Sequence, residues 1–154
     1  KGKVEIESKE GEGTEFILTF PKSEKPIWFA DKIELKKGDT VVILDDEESM
    51  HEIWKEVFKK YEEEITVTYF TKGLETIEYI NSLKDKRKVL LLTKYELKGQ
   101  EVNGIGVVEK SNMKDRHIII TRLHLSKIKE FNEKNGFLKI FSRSLLKDAP
   151  ISIC

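Results

Sequence analysis

The stretch TVVILDD, residues 40–46, runs from an unbroken apolar segment directly into two aspartates. A short, continuous apolar run is typical of a strand buried on both faces of a parallel sheet. In open α/β folds, ligands bind in the crevice beyond the carboxyl ends of such strands. The stretch therefore predicts a central strand and, at Asp45 and Asp46, one part of a functional edge.

Strands and helices alternate from this point onward. Apolar residues at helical spacing predict an amphipathic helix over residues 48–61. Further strands are predicted at ITVTYF (65–70), KVLLLT (88–93), RHIIIT (116–121) and FLKIF (137–141), and helical segments at 74–83, after Asn103 and at 125–135. Such alternation implies a parallel sheet covered on both faces, with right-handed crossovers. We predict an α/β fold, a flavodoxin-like, doubly wound, five-stranded parallel sheet.

The first residues follow the two-residue rhythm of strands. KVEIES (3–8) alternates apolar and charged side chains, and TEFILTF (14–20) places Phe16, Leu18 and Phe20 on one face, with a glycine-containing turn between them. Prolines then mark a linker. The predicted organisation is a β-hairpin over residues 1–21, a linker over 22–38 and the α/β domain over 39–154.

A two-stranded hairpin is marginal by itself in water. We therefore expect its apolar face to pack on the rest of the chain or on a second copy, because unpaired strand edges recruit other strands. The second case predicts a homodimer formed through the hairpin.

Composition excludes several function classes. The 28 basic and 28 acidic residues cancel, so no overall field draws the chain to nucleic acid or an anionic membrane. The one cysteine, Cys154, excludes an intrachain disulfide and a cysteine zinc cluster, as in a reducing compartment. No apolar run approaches the ~20 residues that span a bilayer. The three histidines lie in different predicted elements and form no ligand set. We expect a cytoplasmic location.

The carboxyl ends of the predicted strands gather five candidate site residues: Asp45, Asp46, Lys94, Thr121 and Arg143. In this order they resemble the receiver domain of two-component response regulators over residues 39 to about 145. The resemblance implies that the acidic pair belongs to a Mg²⁺ site. It also implies that Lys94 stands at the phosphoacceptor aspartate, and that Thr121 and Arg143 stand at the residues that engage the phosphoryl group, where the family has a lysine in place of Arg143.

The N-terminal stretch GKVEIESKEGEGTEFILTFP resembles the end of a histidine-kinase ATP-binding domain, with Gly11, Gly13 and Thr14 matching its glycine-containing loop. Hybrid histidine kinases join these two modules in this order. The resemblance implies that this chain is a C-terminal piece of a sensor kinase. That parent kinase would be either anchored in the membrane or soluble. The partners of this chain would be the parent's kinase domains or a histidine phosphotransfer protein.

Lys94 makes phosphoryl acceptance by this site unfavourable. A receiver needs a carboxylate nucleophile and a metal that neutralises the phosphoryl oxygens. A lysine beside two aspartates stays protonated, so it has no lone pair for attack, and its charge disfavours Mg²⁺. We expect Mg²⁺ binding to be weak or absent and the chain by itself not to be an enzyme. The ammonium would instead pair with Asp45 or Asp46.

Simpler interpretations remain open for each residue. The acidic pair could cap the following helix, Lys94 could point to solvent, and Thr121 could be an ordinary strand-end residue. Lys139 or Lys147 could take the place of Arg143 if the strand register differs.

Three functions follow from these patterns. The first is a phosphorylation-incompetent pseudo-receiver that acts as a regulatory or interaction module. The second is an active receiver that uses another carboxylate, with Glu96 the nearest. The third is a nucleotide-binding kinase fragment, supported only by Gly11 to Thr14.

Overall fold

The structure is a computed structural model that describes residues 2–24, 26–122, 136 and 139–154. The helix predicted over 125–135, with His124 before it, lies outside the described residues. So do residues 137 and 138 of the predicted last strand. The other predicted strands and helices are present, with small shifts at their ends.

Five parallel strands form the main sheet, as predicted. Their order is β5-β4-β6-β7-β8, and the strands are β4 (Thr40–Leu44), β5 (Thr66–Phe70), β6 (Val89–Lys94), β7 (His117–Thr121) and β8 (Ile140–Ser142). The chain passes from β4 outward to β5 and then crosses back to β6 on the other side. This reversal makes the gap between β4 and β6 the topological switch point, where an α/β sheet opens a crevice at its carboxyl edge.

Within the described residues, three helices cover the sheet: α1 (Glu48–Phe58), α2 (Gly73–Ser82) and α3 (Gly104–Lys110). The helix predicted over 48–61 continues from α1 as a short 3₁₀ segment, Lys59–Tyr61. Asn103 caps α3, since its side chain accepts a hydrogen bond from the backbone N–H of Gly106. The described chain contains no helix that is both long and apolar enough to cross a membrane.

Alternate residues of the buried strands belong to two apolar clusters, one on each face of the sheet. Val42, Leu44 and Leu91 pack on the side of α2 and α3, whereas Val41, Ile43 and Leu92 pack on the side of α1, where Trp54 and Phe58 stack. Burial on both faces is what the continuous apolar runs predicted. The core therefore fixes the carboxyl ends of β4 and β6 from both sides.

Within the predicted linker, the structure has a three-residue strand, β3 (Ile33–Leu35), which pairs in parallel with β9 (Ile151–Ile153) after Pro150. Ile33 and Leu35 are buried beside α1. Upstream, Phe29 bridges to Ile140 of β8. The segment before the α/β domain is thus held to the end of the chain by backbone pairing.

The N-terminal hairpin is present as β1 (Lys3–Lys9) and β2 (Gly13–Thr19), which pair in antiparallel fashion. Gly11 and Gly13 have positive φ at its turn, a conformation that favours glycine. Every residue of both strands is exposed.

Candidate functional site

Three consecutive acidic residues occupy the turn from β4 to α1. Asp45 is buried, and its Oδ1 accepts a hydrogen bond from the backbone N–H of Glu47 at 3.0 Å. Asp46 accepts from the backbone N–H of Lys98 through Oδ2 at 3.1 Å. Carboxylate oxygens of Asp45, Asp46 and Glu47 all lie within 4.8 Å of one another. The helix-cap interpretation does not hold for α1, because its N-cap residue is Glu47 and no side chain makes a capping hydrogen bond there.

Lys94, the last residue of β6, points its ammonium into this acidic turn. Its Nζ lies 2.6 Å from Asp46 Oδ1, 2.7 Å from Glu47 Oε1 and 3.8 Å from Asp45 Oδ1. The side chain is only 10% exposed, so Lys94 does not point to solvent. One ammonium thus contacts all three carboxylates.

The backbone of Lys94 is fixed as closely as its side chain. A Cβ on Gly104 would lie 2.3 Å from the carbonyl oxygen of Lys94, so only glycine lets α3 begin this close to β6. The backbone N–H of Gly104 also donates to the carbonyl of Tyr95 at 2.8 Å. The end of β6 is therefore clamped between the sheet and α3.

Arg143, directly after β8, supplies the second cation. Its Nη2 and Nη1 donate to Glu47 at 2.7 and 3.3 Å, a two-point contact that suits a guanidinium and a carboxylate. Glu47 therefore bridges Lys94 and Arg143, and it ties the end of β4 to the ends of β6 and β8.

The cations and the carboxylates shift one another's pKa. Hydrogen bonds from Arg143 and Lys94 lower the pKa of Glu47 to about 2. Burial alone would lower the pKa of Lys94, but the hydrogen bonds with Asp46 and Glu47, together with the nearby aspartate charges, outweigh burial and raise it. Burial alone would raise the pKa of Asp46, but the contact with Lys94 and the hydrogen bond from the Lys98 backbone together lower it. Near neutral pH this network is ionised, with Lys94 protonated.

Asp45 differs from its two neighbours. Burial raises its pKa, despite the opposing effect of its hydrogen bond with the Glu47 backbone and of the charges on Arg143 and Lys94. Its nearest distance to the ammonium, 3.8 Å, is more than 1 Å longer than those of the other two carboxylates. Asp45 is the least neutralised carboxylate of the site.

A cleft of about 260 Å³ opens above these residues and is lined in part by Lys94, Thr121 and Arg143. Thr121 is buried at the end of β7. Glu96 also lines the cleft but is exposed. The cleft is small, and the polar side chains on its floor come from the ends of three parallel strands.

The carboxylates alone would suit Mg²⁺, which prefers oxygen ligands. In this structure, however, the Lys94 ammonium lies within hydrogen-bond distance of two of the three carboxylates and close to the third. A metal ion among them would have to displace that ammonium or share the space with a like charge. The residues as arranged therefore do not fit a magnesium ion.

The structure brings together all five residues predicted from the strand ends. Neither lysine proposed as a substitute for Arg143 reaches the cluster: Lys139 Nζ donates to the carbonyl of Ile27, and Lys147 lines a groove beside α1. Sequence reasoning missed Glu47, the residue with contacts to both cations. The signal was the third acidic residue of LDDEES, which directly precedes α1.

The histidines within the described part of the chain lie away from this cluster. His51 is buried on α1, and His117 is buried in β7, with its Nδ1 3.0 Å from the carbonyl of Met113. Among the residues that the structure describes, the acidic turn is the one group of three or more candidate metal ligands.

Solved structures that share this fold include receiver domains of response regulators. A signal receiver domain from Vibrio parahaemolyticus matches with a TM-score of 0.56 and 17% identity, over 72% of this chain and 82% of that one. The receiver domain of a Francisella response regulator matches with a TM-score of 0.55 and 19% identity, over 70% and 85%. The chain has the receiver fold.

A third match is the receiver domain of a sensor histidine kinase from Pseudomonas aeruginosa, which has a magnesium ion coordinated in its active-site cleft. Its TM-score is 0.52 and its identity 12%, over 68% of this chain and 83% of that one. No protein-family sequence profile and no curated protein sequence matches the chain. The likeness at these identities is one of fold.

Proposed function

We propose that this chain is a receiver-like regulatory module of two-component signalling that is held in one state without phosphorylation. The observation that carries the proposal is the position of the Lys94 ammonium, 2.6 Å from Asp46 and 2.7 Å from Glu47. At the place where a receiver has its phosphoacceptor aspartate, this chain has a cation already bound by the acidic turn.

The chemistry of an ammonium group supports this proposal. A protonated amine has no lone pair with which to attack phosphorus, and the pKa of Lys94 is raised, so the neutral amine is rarer than in a free lysine. The ammonium also supplies positive charge to the carboxylates, which a metal ion would do in an active receiver.

Such a module would act as a constant surface. In a receiver, output depends on a phosphoryl group that engages the residues at the positions of Thr121 and Arg143. Here Arg143 already makes a two-point contact with Glu47. A two-state element that receives no differential input does not switch. The module would therefore contribute binding contacts instead of a phosphorylation-dependent signal.

We extend the proposal to the parent protein, which would be a hybrid histidine kinase. This chain would be one of its cytoplasmic regions, and β1 and β2 would be the last strands of its ATP-binding domain. The glycine turn at Gly11 and Gly13 supports this assignment. The partners would be the kinase domains of the same protein or a histidine phosphotransfer protein. Purification of the full-length protein followed by an autophosphorylation assay tests this context separately.

The module itself is tested by incubation with a small phosphodonor, such as acetyl phosphate, in the presence of Mg²⁺. Intact-mass spectrometry should show no acyl phosphate on the wild-type chain. The Lys94→Asp variant should gain Mg²⁺ affinity of at least tenfold, about 1.4 kcal/mol, because one positive charge becomes a fourth carboxylate. Thr121→Val and Lys98→Ala serve as variants that keep Lys94.

An acid-labile acyl phosphate on the wild-type chain would contradict the proposal. Mapping it to Glu96, the exposed carboxylate at the cleft, would favour the active-receiver alternative. Unchanged Mg²⁺ affinity in Lys94→Asp would mean that position 94 does not control the cation site.

A further inference from the structure

The N-terminal hairpin carries an apolar surface formed by Val4, Ile6, Phe16, Leu18 and Phe20, called here the hairpin face. Its side chains are 58–73% exposed. The antiparallel register places Val4 opposite Leu18 and Ile6 opposite Phe16, so the four strand residues form one continuous patch. For a chain in water, this is a large apolar surface without cover.

The two sides of the hairpin differ completely in charge. The side with the hairpin face ends at Ser8 and Thr14, whose hydroxyls hydrogen-bond at 2.8 Å. No residue of β1 or β2 on this side is charged. The opposite side carries the charged residues of both strands: Lys3, Glu5, Glu7, Lys9 and Glu15. An amphipathic two-stranded sheet of this kind is built to bury one side.

Nothing within the described part of the chain covers the hairpin face, since every residue of β1 and β2 is exposed. The nearby apolar residues of the linker are engaged elsewhere. Trp28 packs on the core cluster beside α2 and α3, and Phe29 bridges to Ile140. Among the described residues, the rest of the same chain therefore does not cover the hairpin face.

We infer that the hairpin face is a self-association surface, on which the hairpin of a second copy of the chain packs face to face. Aromatic side chains bury about 150–250 Å² each and aliphatic ones somewhat less, so the face offers on the order of 500–600 Å² per copy. Two copies together would bury about 1,000–1,200 Å², at the lower end for a specific protein interface.

A second copy fits this surface because the face carries no charged residue. Two identical faces related by a two-fold axis bring no like charges together, and two sheets pack at a spacing of about 10 Å. An anionic membrane fits less well, since the edges and the opposite side of the hairpin carry Glu5, Glu7 and Glu15. The modest area implies a dimer that dissociates on dilution.

Sedimentation velocity over a range of concentrations tests the association. The wild-type chain, of 18.0 kDa, should approach twice that mass as concentration rises. Phe16→Thr, at the centre of the hairpin face, should weaken the dimer by at least tenfold. Ile17→Thr is the matched control, because Ile17 neighbours Phe16 on the same strand but points to the charged side. It should dimerise like the wild type.

A disulfide assay separates loss of the interface from loss of the hairpin itself. In a Cys154→Ser background, which removes the one native thiol, Leu18→Cys should form a cross-linked dimer under mild oxidation. Ile17→Cys should not. A monomeric wild type at all concentrations, a dimer unaffected by Phe16→Thr, or equal cross-linking from both positions would overturn the inference. So would binding of the monomer to neutral lipid vesicles through Phe16.

Discussion

The two ends of the five-stranded sheet each hold partly buried ionic contacts, and the two differ in how completely the charges are matched. At the amino end, Asp39 accepts hydrogen bonds from Arg116 Nη2 at 2.7 Å and from the Lys36 backbone N–H at 2.9 Å. Arg116 also donates from Nε to the carbonyl of Val89. One acid meets one base, and both are further bound by backbone.

At the carboxyl end, three carboxylates meet two cations, and a cleft opens above them. The acid left with the weakest pairing, Asp45, has a raised pKa. A buried charge alone therefore does not mark a candidate functional site. What separates the carboxyl end is a surplus of charged groups around shared partners, at the switch point of the sheet and beside open space.

The largest effect on stability is expected at the pair formed by Asp39 and Arg116. Arg116→Ala leaves Asp39, which is 3% exposed, without its cation, and breaking a buried pair costs about 3 kcal/mol or more. Urea unfolding measures the loss. Arg87→Ala is the matched control, because Arg87 pairs with Asp85 at the surface and should leave the urea midpoint unchanged. Equal effects of the two variants would mean that the Asp39 pair is not a structural element.

A smaller loss, about 2–3 kcal/mol at pH 7, is expected for Lys94→Ala, since Glu47 keeps Arg143 and is partly hydrated. The pKa of Glu47 is lowered from 4.5 to about 2 in the folded chain. Its ionised form therefore adds stability above pH 4.5 that is lost as the pH falls toward 2. The difference between wild type and variant should shrink from pH 7 to pH 3.

Urea unfolding of both proteins at the two pH values checks this prediction. Lys98→Ala is the control, because Lys98 contacts Asp46 through its backbone N–H alone, and the contact survives the change. A Lys94→Ala effect that is independent of pH would argue for lost packing instead of lost charge.

The smallest expected effect is stabilisation by Mg²⁺, which should occur at the carboxyl end of the sheet and not at the amino end. Mg²⁺ should stabilise Lys94→Ala by about 1 kcal/mol at several times its dissociation constant, since removal of the ammonium leaves Asp45, Asp46 and Glu47 close together. Arg116→Ala offers a single buried carboxylate and should not respond. Thermal melts with and without Mg²⁺ measure both, and stabilisation of Arg116→Ala to the same extent would remove the distinction.

Much of the α/β fold could be predicted because its signals are local. Continuous apolar runs such as that of β4 indicate strands buried on both faces, and Asn103 directly precedes α3. The pairing of β3 with β9 could not be predicted, since it joins short segments near opposite ends of the chain. Three residues carry too little pattern to identify a partner at that distance.

The site was predictable as far as parallel strands place their ends at one edge, which gave Asp45, Lys94, Thr121 and Arg143. Glu47 was not predicted as a site residue because it directly precedes α1. An acidic side chain at that position ordinarily stabilises the positive end of the helix dipole. The contacts of Glu47 with Lys94 and Arg143 depend on how α1 leaves the sheet. Trp54 and Phe58 of α1 pack in the apolar cluster on that side of the sheet, and such long-range packing is not predicted by local sequence.

We propose that the Lys94 ammonium occupies the space in which a receiver would bind its metal ion. Anomalous diffraction from crystals soaked in Mn²⁺, a substitute for Mg²⁺, shows which of the two cations the carboxylates hold. The prediction is no anomalous peak among Asp45, Asp46 and Glu47, with Lys94 Nζ within hydrogen-bond distance of Asp46 and Glu47. An ion among these carboxylates, with Lys94 turned away from them, would contradict it.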